Sequence, residues 1–218
     1  MKVSSSKRLI RNYNEILQKL TELGLVRSSN ALSEKTNSKR SILEYTTKDS
    51  SVSNKLFDTA LSSTELYTAL HDEGQYNIEF KDGSLLLFQC TIEGRSVVKQ
   101  RIVFLKPFRG YEQEESEDYE GWEAYQTDDL RHDKLSFPIL IRVDFDANEK
   151  KGDHPLCHIT LSNITDCRIP AKANIDIGLF VEFILQQFFN INNVSLPKMN
   201  SEDTIRENEK AYIHINWI

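Results

Sequence analysis

Apolar residues return every three or four positions near the start of the chain. Leu9, Tyr13, Ile16, Leu20 and Leu23 fall on one stripe within residues 8–27, the spacing of an amphipathic helix. Ser4, Ser5 and Ser6 offer caps before it, and Gly24 stands where such a helix ends. Two heptads are too few for a coiled-coil seam, so the stripe predicts packing on the chain's own domain. Residues 28–54 are rich in Ser, Thr, Asn and Lys, with one apolar island at Ile42, Leu43 and Tyr45. They read as a polar linker or tether. Leu56, Phe57, Ala60 and Leu61, then Leu66, Tyr67 and Leu70, resume a helical pattern. Ser62, Ser63 and Glu65 between them predict a break and a fresh N-cap.

From Tyr76 the period changes to two. Tyr76, Ile78 and Phe80 alternate with Asn77 and Glu79, and Lys81-Asp82-Gly83 supplies a hairpin turn. The return strand sets Leu86, Phe88, Cys90 and Ile92 on one face and Leu85, Leu87, Gln89 and Thr91 on the other. After the Glu93-Gly94-Arg95 turn, a third strand places Val98, Ile102 and Phe104 against Lys99, Arg101 and Val103 and ends before Pro107. Residues 137–146 form a fourth, with Ile139, Ile141, Val143 and Phe145 opposed to Leu140, Arg142, Asp144 and Asp146. A fifth sets Cys157, Ile159 and Leu161 against Leu156, His158, Thr160 and Ser162.

Residues 176–189 are apolar nearly all round, with only Gly178, Glu182 and Gln186 forming a wet stripe, so this helix should lie at the centre of the domain. A polar connection, 190–209, leads to a last alternating strand, 211–217. The expected architecture is α+β: a mainly antiparallel sheet with helices packed on one face and an N-terminal amphipathic helix. The expected organisation is a helix over 1–27, a linker over 28–54 and one domain over 55–218.

At 218 residues with 39% hydrophobic and 28% charged residues, the chain has room for one sizeable core. No apolar run reaches the ~18 residues of a membrane span, and the start lacks a signal-peptide apolar region. A cytoplasmic protein with no membrane contact is expected. Cys90, Cys157 and Cys167 are odd in number and irregularly spaced, against a disulfide framework. The net charge of -6 disfavours a general nucleic-acid coat. Much of the acidity lies in 111–133, where ten carboxylates are interleaved with Tyr111, Tyr119, Trp122 and Tyr125. Such a run is a solvated insertion or a docking segment, with Tyr119 and Trp122 as partner contacts.

If the apolar strand faces pack on helices, the opposite faces collect Glu79, Gln89, Lys99, Arg101, Arg142, Asp144, His158 and His214. The fourth and fifth strands are joined by a short connection, which brings Arg142, Asp144 and His158 within reach of one another. Carboxylate, imidazole and guanidinium can perform acid-base work on a phosphodiester, and the same trio can be a salt-bridged sheet face. His154, Cys157, His158 and Cys167 invite a zinc reading, but the spacing lacks a C-x-x-C pair, and Cys157 would point away from His158. Asp144 and Asp146 could serve a hard cation or be ordinary strand-end polar residues. No metal or cofactor is assigned. Glu79-Phe80-Lys81 has a nuclease-like acidic-x-lysine form, yet it runs into a turn with no upstream aspartate to complete it. Phosphate-loop, dinucleotide and serine-hydrolase motifs are absent from the sequence.

Asp82-Gly83-Ser84, Gln100-Arg101, the run 141–146, His154-Pro155-Leu156-Cys157-His158, Cys167-Arg168-Ile169-Pro170 and the run 180–189 follow one another in linked order. In this the chain resembles an uncharacterised bacterial family, the domain of unknown function 2290 group, over about residues 70–190. The resemblance implies a setting among mobile-element and antiviral-defence genes and no established activity. Where that pattern has a compact loop, this chain has the acidic insertion. Pro155 and Pro170 fix strand ends, His154 braces the turn, and Arg168 is placed to pair with Asp166 or Asp144. The function expected is a non-enzymatic accessory subunit assembling with a larger ATPase or nuclease, touching nucleic acid through the complex. The alternative is a nuclease or toxin-like enzyme with His158 and His154 as acid and base and Asp144 as orienter or metal ligand. In it, Arg101, Arg142 and Arg168 would hold phosphates. A nucleic-acid-binding module using Lys99, Arg101, Arg142 and Arg168 is a third reading.

Overall fold

The N-terminal stripe forms α1, Ser5–Glu22, with Leu9, Tyr13, Ile16 and Leu20 wholly inside the protein. Burying each such side chain contributes about 1.5–3 kcal/mol, so the helix is held by its packing rather than by its propensity. Tyr13 also donates its hydroxyl to the carbonyls of Asn30, at 3.1 Å, and Asn77, at 3.2 Å, which ties the helix to two loops. Burial pushes this phenol's pKa upward, against the pull of the Asn77 hydrogen bond.

The computed structural model describes residues 5–37, 40–45, 61–107, 138–149, 154–162, 167–172 and 175–199. Among them, nine strands make one antiparallel sheet: β1 (Val26–Ser29), β2 (Leu32–Thr36), β3 (Arg40–Tyr45), β4 (Ile78–Phe80), β5 (Leu85–Glu93), β6 (Ser96–Lys106), β7 (Ile139–Asp146), β8 (Cys157–Leu161) and β9 (Ile169–Pro170). The main path runs β1-β4-β5-β6-β7-β8-β9. β4 and β3 share one edge of β5, the first pairing with residues 85–86 and the second with 90–93. β1 and β2 lie outside them, on β4 and β3 respectively. The segment read as a polar linker therefore carries most of three strands in its described part, and residues 46–54 lie outside the described residues.

The α+β class and the antiparallel sheet stand, with one correction to the layering. α1 and α3 (Ile177–Phe188) cover the face carrying Leu86, Phe88, Cys90, Ile102, Phe104, Val143 and Ile159. α2 (Ser63–Asp72) covers the other face, where Leu66 and Leu70 meet Leu85, Leu87, Val103, Leu105 and Leu140 in a second cluster. Tyr76 joins that second cluster rather than sharing a face with Ile78 and Phe80. α2 begins as the sequence predicted: Ser62 caps it, accepting from Glu65 N while the Glu65 carboxylate accepts from Ser62 N at 2.8 Å. The helical pattern at 56–60 lies outside the described residues. The Asp82-Gly83 hairpin forms with Gly83 at φ 78°, a conformation glycine adopts without strain. A bulge between Thr91 and Ile92 shifts the register, so Val97 instead of Val98 packs on the core.

α3 is less wet than its stripe suggested. Residues 194–199 return across it, with Leu196 N donating to Glu182 at 2.8 Å, Lys198 pairing with Glu182 at 2.6 Å and Met199 N donating to the N-cap Asp176 at 3.2 Å. Gly178 is buried under this return, where a Cβ would lie 2.2 Å from the Pro197 carbonyl. Burial raises the Asp176 pKa despite backbone amides that favour the anion. Among the described residues, no helix is long and apolar enough to cross a membrane.

Candidate functional site

Strict alternation along paired strands builds a polar row on the face not covered by α1 and α3. Gln89 on β5, Arg101 on β6, Asp144 on β7, His158 on β8 and Pro170 on β9 stand opposite one another in register. Val103, Arg142 and Thr160 form the next row. Arg142 is two residues before Asp144 on one strand, so both point the same way. The predicted neighbourhood of Arg142, Asp144 and His158 is thus present, with Arg101 opposite.

Asp144 is the hub. Arg101 Nε lies 2.6 Å from its Oδ1 and Arg142 Nε 2.7 Å from its Oδ2. His158 Nε2 is 3.8 Å from Oδ2, beyond hydrogen-bond reach. Burial alone would raise the Asp144 pKa, but Arg101 and then Arg142 outweigh it and hold the carboxyl below its ordinary value. His158 is 4% exposed. Desolvation pushes its pKa down to about 4, against the attraction of Asp144, so the ring is neutral at pH 7. Its Nδ1 and the Thr160 hydroxyl are buried without a well-aligned partner among the described residues.

His154 stands in the turn before β8. Its ring meets His158 edge-on, with centroids 4.8 Å apart and planes at 88°, while its Nδ1 lies 3.2 Å from the Pro155 carbonyl and 3.7 Å from Glu149. The two rings stack as an edge-to-face pair instead of aiming nitrogens at a common point. Arg168 is exposed at the entry to β9. Tyr119, Trp122 and the acidic run 111–133, together with His214, lie outside the described residues.

The zinc and hard-cation readings meet the strand geometry directly. Cys157 is in the core on the face opposite His158, and burial pushes its thiol pKa up to about 12, so it is a small apolar group there. Asp146 accepts from Asn148 N at 2.9 Å and lies 3.5 Å from Lys99. Both aspartates of β7 are therefore engaged by cations or backbone amides.

The polar face is not continuous. The patch under α2 separates the Asp144 row from Glu79, which is buried in a cluster of its own with Arg27 at 3.1 Å, Ser28 at 2.8 Å, Tyr76 at 3.2 Å and His71 Nε2 at 3.5 Å. His71 is stacked between Tyr67 and Tyr76. Glu79 in its acidic-x-lysine triplet is thus held by β1 and α2. Thr160 escaped sequence reading as a member of the second row although it shares the parity of His158, and Glu149, just past the end of β7, escaped as a neighbour of His154. Arg27 and Ser28 escaped because they sat in or beside the supposed linker.

The chain belongs to the family described as an uncharacterized conserved protein (DUF2290), whose model matches residues 25–217. No curated protein and no solved structure matches it.

Proposed function

We propose that this member of the family is a non-enzymatic interaction subunit of a prokaryotic antiviral-defence or mobile-element system. It assembles in the cytoplasm with a larger ATPase or nuclease and reaches nucleic acid through that complex. The observation that carries this reading is the wiring of Asp144. Each of its carboxylate oxygens is engaged by a guanidinium, and the neighbouring His158 is neutral and buried. A general base needs a free lone pair within reach of substrate, and a phosphate-binding arginine needs a charge to spare. Here two guanidiniums on two strands bracket one carboxylate, and the net +1 that remains is largely buried, with the arginine side chains 12% and 15% exposed, as in a structural network. Tyr119 and Trp122 within the acidic run 111–133 are the partner anchors in this proposal, since aromatic residues dominate interface energetics.

One observation favours the nuclease or toxin-like alternative: the buried Nδ1 of His158, with no well-aligned hydrogen-bond partner among the described residues, beside the His154 ring. Affinity purification of the tagged full chain, expressed with its neighbouring genes and followed by native mass spectrometry, separates the two. The subunit reading expects a stoichiometric complex that survives His154→Ala with His158→Ala, provided the variant melts cooperatively. Loss of a biological activity in that folded double variant, without loss of a complex, would establish the enzymatic reading instead.

A further inference from the structure

After α3 the chain reverses and runs back along the helix it has just left. Asn190 and Asn193 turn it, at φ 52° and 62°, a left-handed conformation that asparagine tolerates. Ile191 N donates to the Leu185 carbonyl at 2.9 Å. From 192 to 199, no backbone group bonds another backbone group among the described residues. The rest of the domain is held differently: the strands carry ladders, and α1 buries Leu9, Tyr13, Ile16 and Leu20.

Two carboxylates of α3 supply the polar ties. Glu182 uses both oxygens: Oε1 accepts from Leu196 N at 2.8 Å, and Oε2 lies 2.6 Å from Lys198 Nζ. Asp176 accepts from Met199 N at 3.2 Å. Between these clasps the Pro197 carbonyl lies over Gly178, so close that a Cβ there would stand 2.2 Å away. Leu196 is the one side chain of 190–199 that is fully buried. Few buried apolar groups, no ladder and polar ties concentrated on two side chains are the marks of a region that opens at far less cost than the whole fold. The clasp also faces water. Lys198 is 43% exposed and Glu182 19%, so the ion pair is open to change from the surface.

We propose that residues 190–199 are a releasable strap, a two-state element clasped at Glu182 that opens as one unit while the sheet and α1 stay folded. Opening uncovers the Gly178 notch of α3 and the seat of Leu196. Neutralising Lys198 or Glu182 shifts the balance toward the open state, which makes this ion pair the control point of the device. The inference stands apart from the subunit reading, because it concerns the full chain by itself.

Native-state hydrogen exchange on the full chain, read amide by amide by NMR, tests it. The Leu196 and Met199 amides should share one protection factor to within about threefold. They should exchange at least about a hundredfold faster than those of Ile102 and Phe104 in β6, a strand paired on both edges. The decisive variant is Glu182→Ala, which removes the Leu196 and Lys198 ties and leaves the Asp176 acceptor of Met199 in place. Opening as a unit means that Met199 accelerates with Leu196, each by about tenfold, while Ile102 and Phe104 are unchanged. Lys198→Gln spares both backbone ties and should accelerate the same two amides by about two- to threefold. Acceleration of Leu196 alone in Glu182→Ala would overturn the proposal, because separate fraying explains it. So would strap amides that exchange only together with β6 in the unaltered chain, or equal acceleration of all four amides in both variants.

Discussion

His158 makes a measurable demand on stability. Its pKa falls to about 4 in the folded chain, first through desolvation, against an ordinary histidine value of about 6.5. Below pH ~6.5 the unfolded chain binds a proton that the folded chain refuses, so unfolding gains free energy as pH falls. The contribution is fully present above pH ~6.5 and is lost progressively down to pH ~4. Between pH 7 and 4.5 the loss amounts to about 2–3 kcal/mol. Asp144 acts with the same sign in a lower window. Its depressed carboxyl supports the fold above the ordinary aspartate range and ceases to do so as pH drops through the folded value. Urea unfolding of the full chain from pH 7 to 4.5, compared with His158→Gln, isolates the histidine. The variant should show a shallower pH dependence by that amount, and the His158 ring protons should not titrate near 6.5 by NMR. Equal slopes in the two proteins, or a ring titrating at the free value, would refute the account of His158 as a buried neutral group.

Asp144→Ala leaves Arg101 and Arg142, with side chains only 12% and 15% exposed, without their shared counter-charge. A loss of about 3–5 kcal/mol in urea unfolding is expected, and Asp144→Asn should recover part of it. Gly178→Ala forces a methyl against the Pro197 carbonyl and should cost about 1–3 kcal/mol. Hydrogen exchange should then accelerate first at the Leu196 and Met199 amides, which the α3 side chains hold. Tyr13→Phe removes the donor shared by the Asn30 and Asn77 carbonyls and should lower stability by about 1–2 kcal/mol while α1 stays helical by circular dichroism.

The elements that the sequence announced are those whose periodicity is enforced by a core. Leu9, Tyr13, Ile16 and Leu20 had to share a side, and the alternation in β5, β7 and β8 had to match their neighbours. The strands between 26 and 45 were hidden because they lie at the sheet margin, where serine, asparagine and lysine are tolerated on exposed positions. Their pairing comes from β4 and β5 rather than from any run of strand-forming residues. The position of α2 was legible and overlooked. Leu85, Leu87 and Leu140 are apolar on the face assumed to be wet, and three such residues require a cover.

The Asp144 row shows where alternation stops informing. Parity placed Arg101, Arg142, Asp144 and His158 on one face, and the short β7-β8 connection made the strands adjacent. Parity is blind to which groups pair. Two guanidiniums share one carboxylate, one from across the sheet and one from the same strand: Arg101 hydrogen-bonds Oδ1, whereas Arg142 Nε lies 2.7 Å from Oδ2 as an ion pair without hydrogen-bond alignment. His158, opposite the same residue, is left at 3.8 Å with neither a proton to gain nor a charge to offer at pH 7. A one-residue slip of β8 against β7 would turn His158 to the core face, while Arg142, on the same strand as Asp144, would still engage the carboxylate. The functional reading of this row therefore turns on cross-strand register, a property of the folded sheet that no single strand's sequence contains.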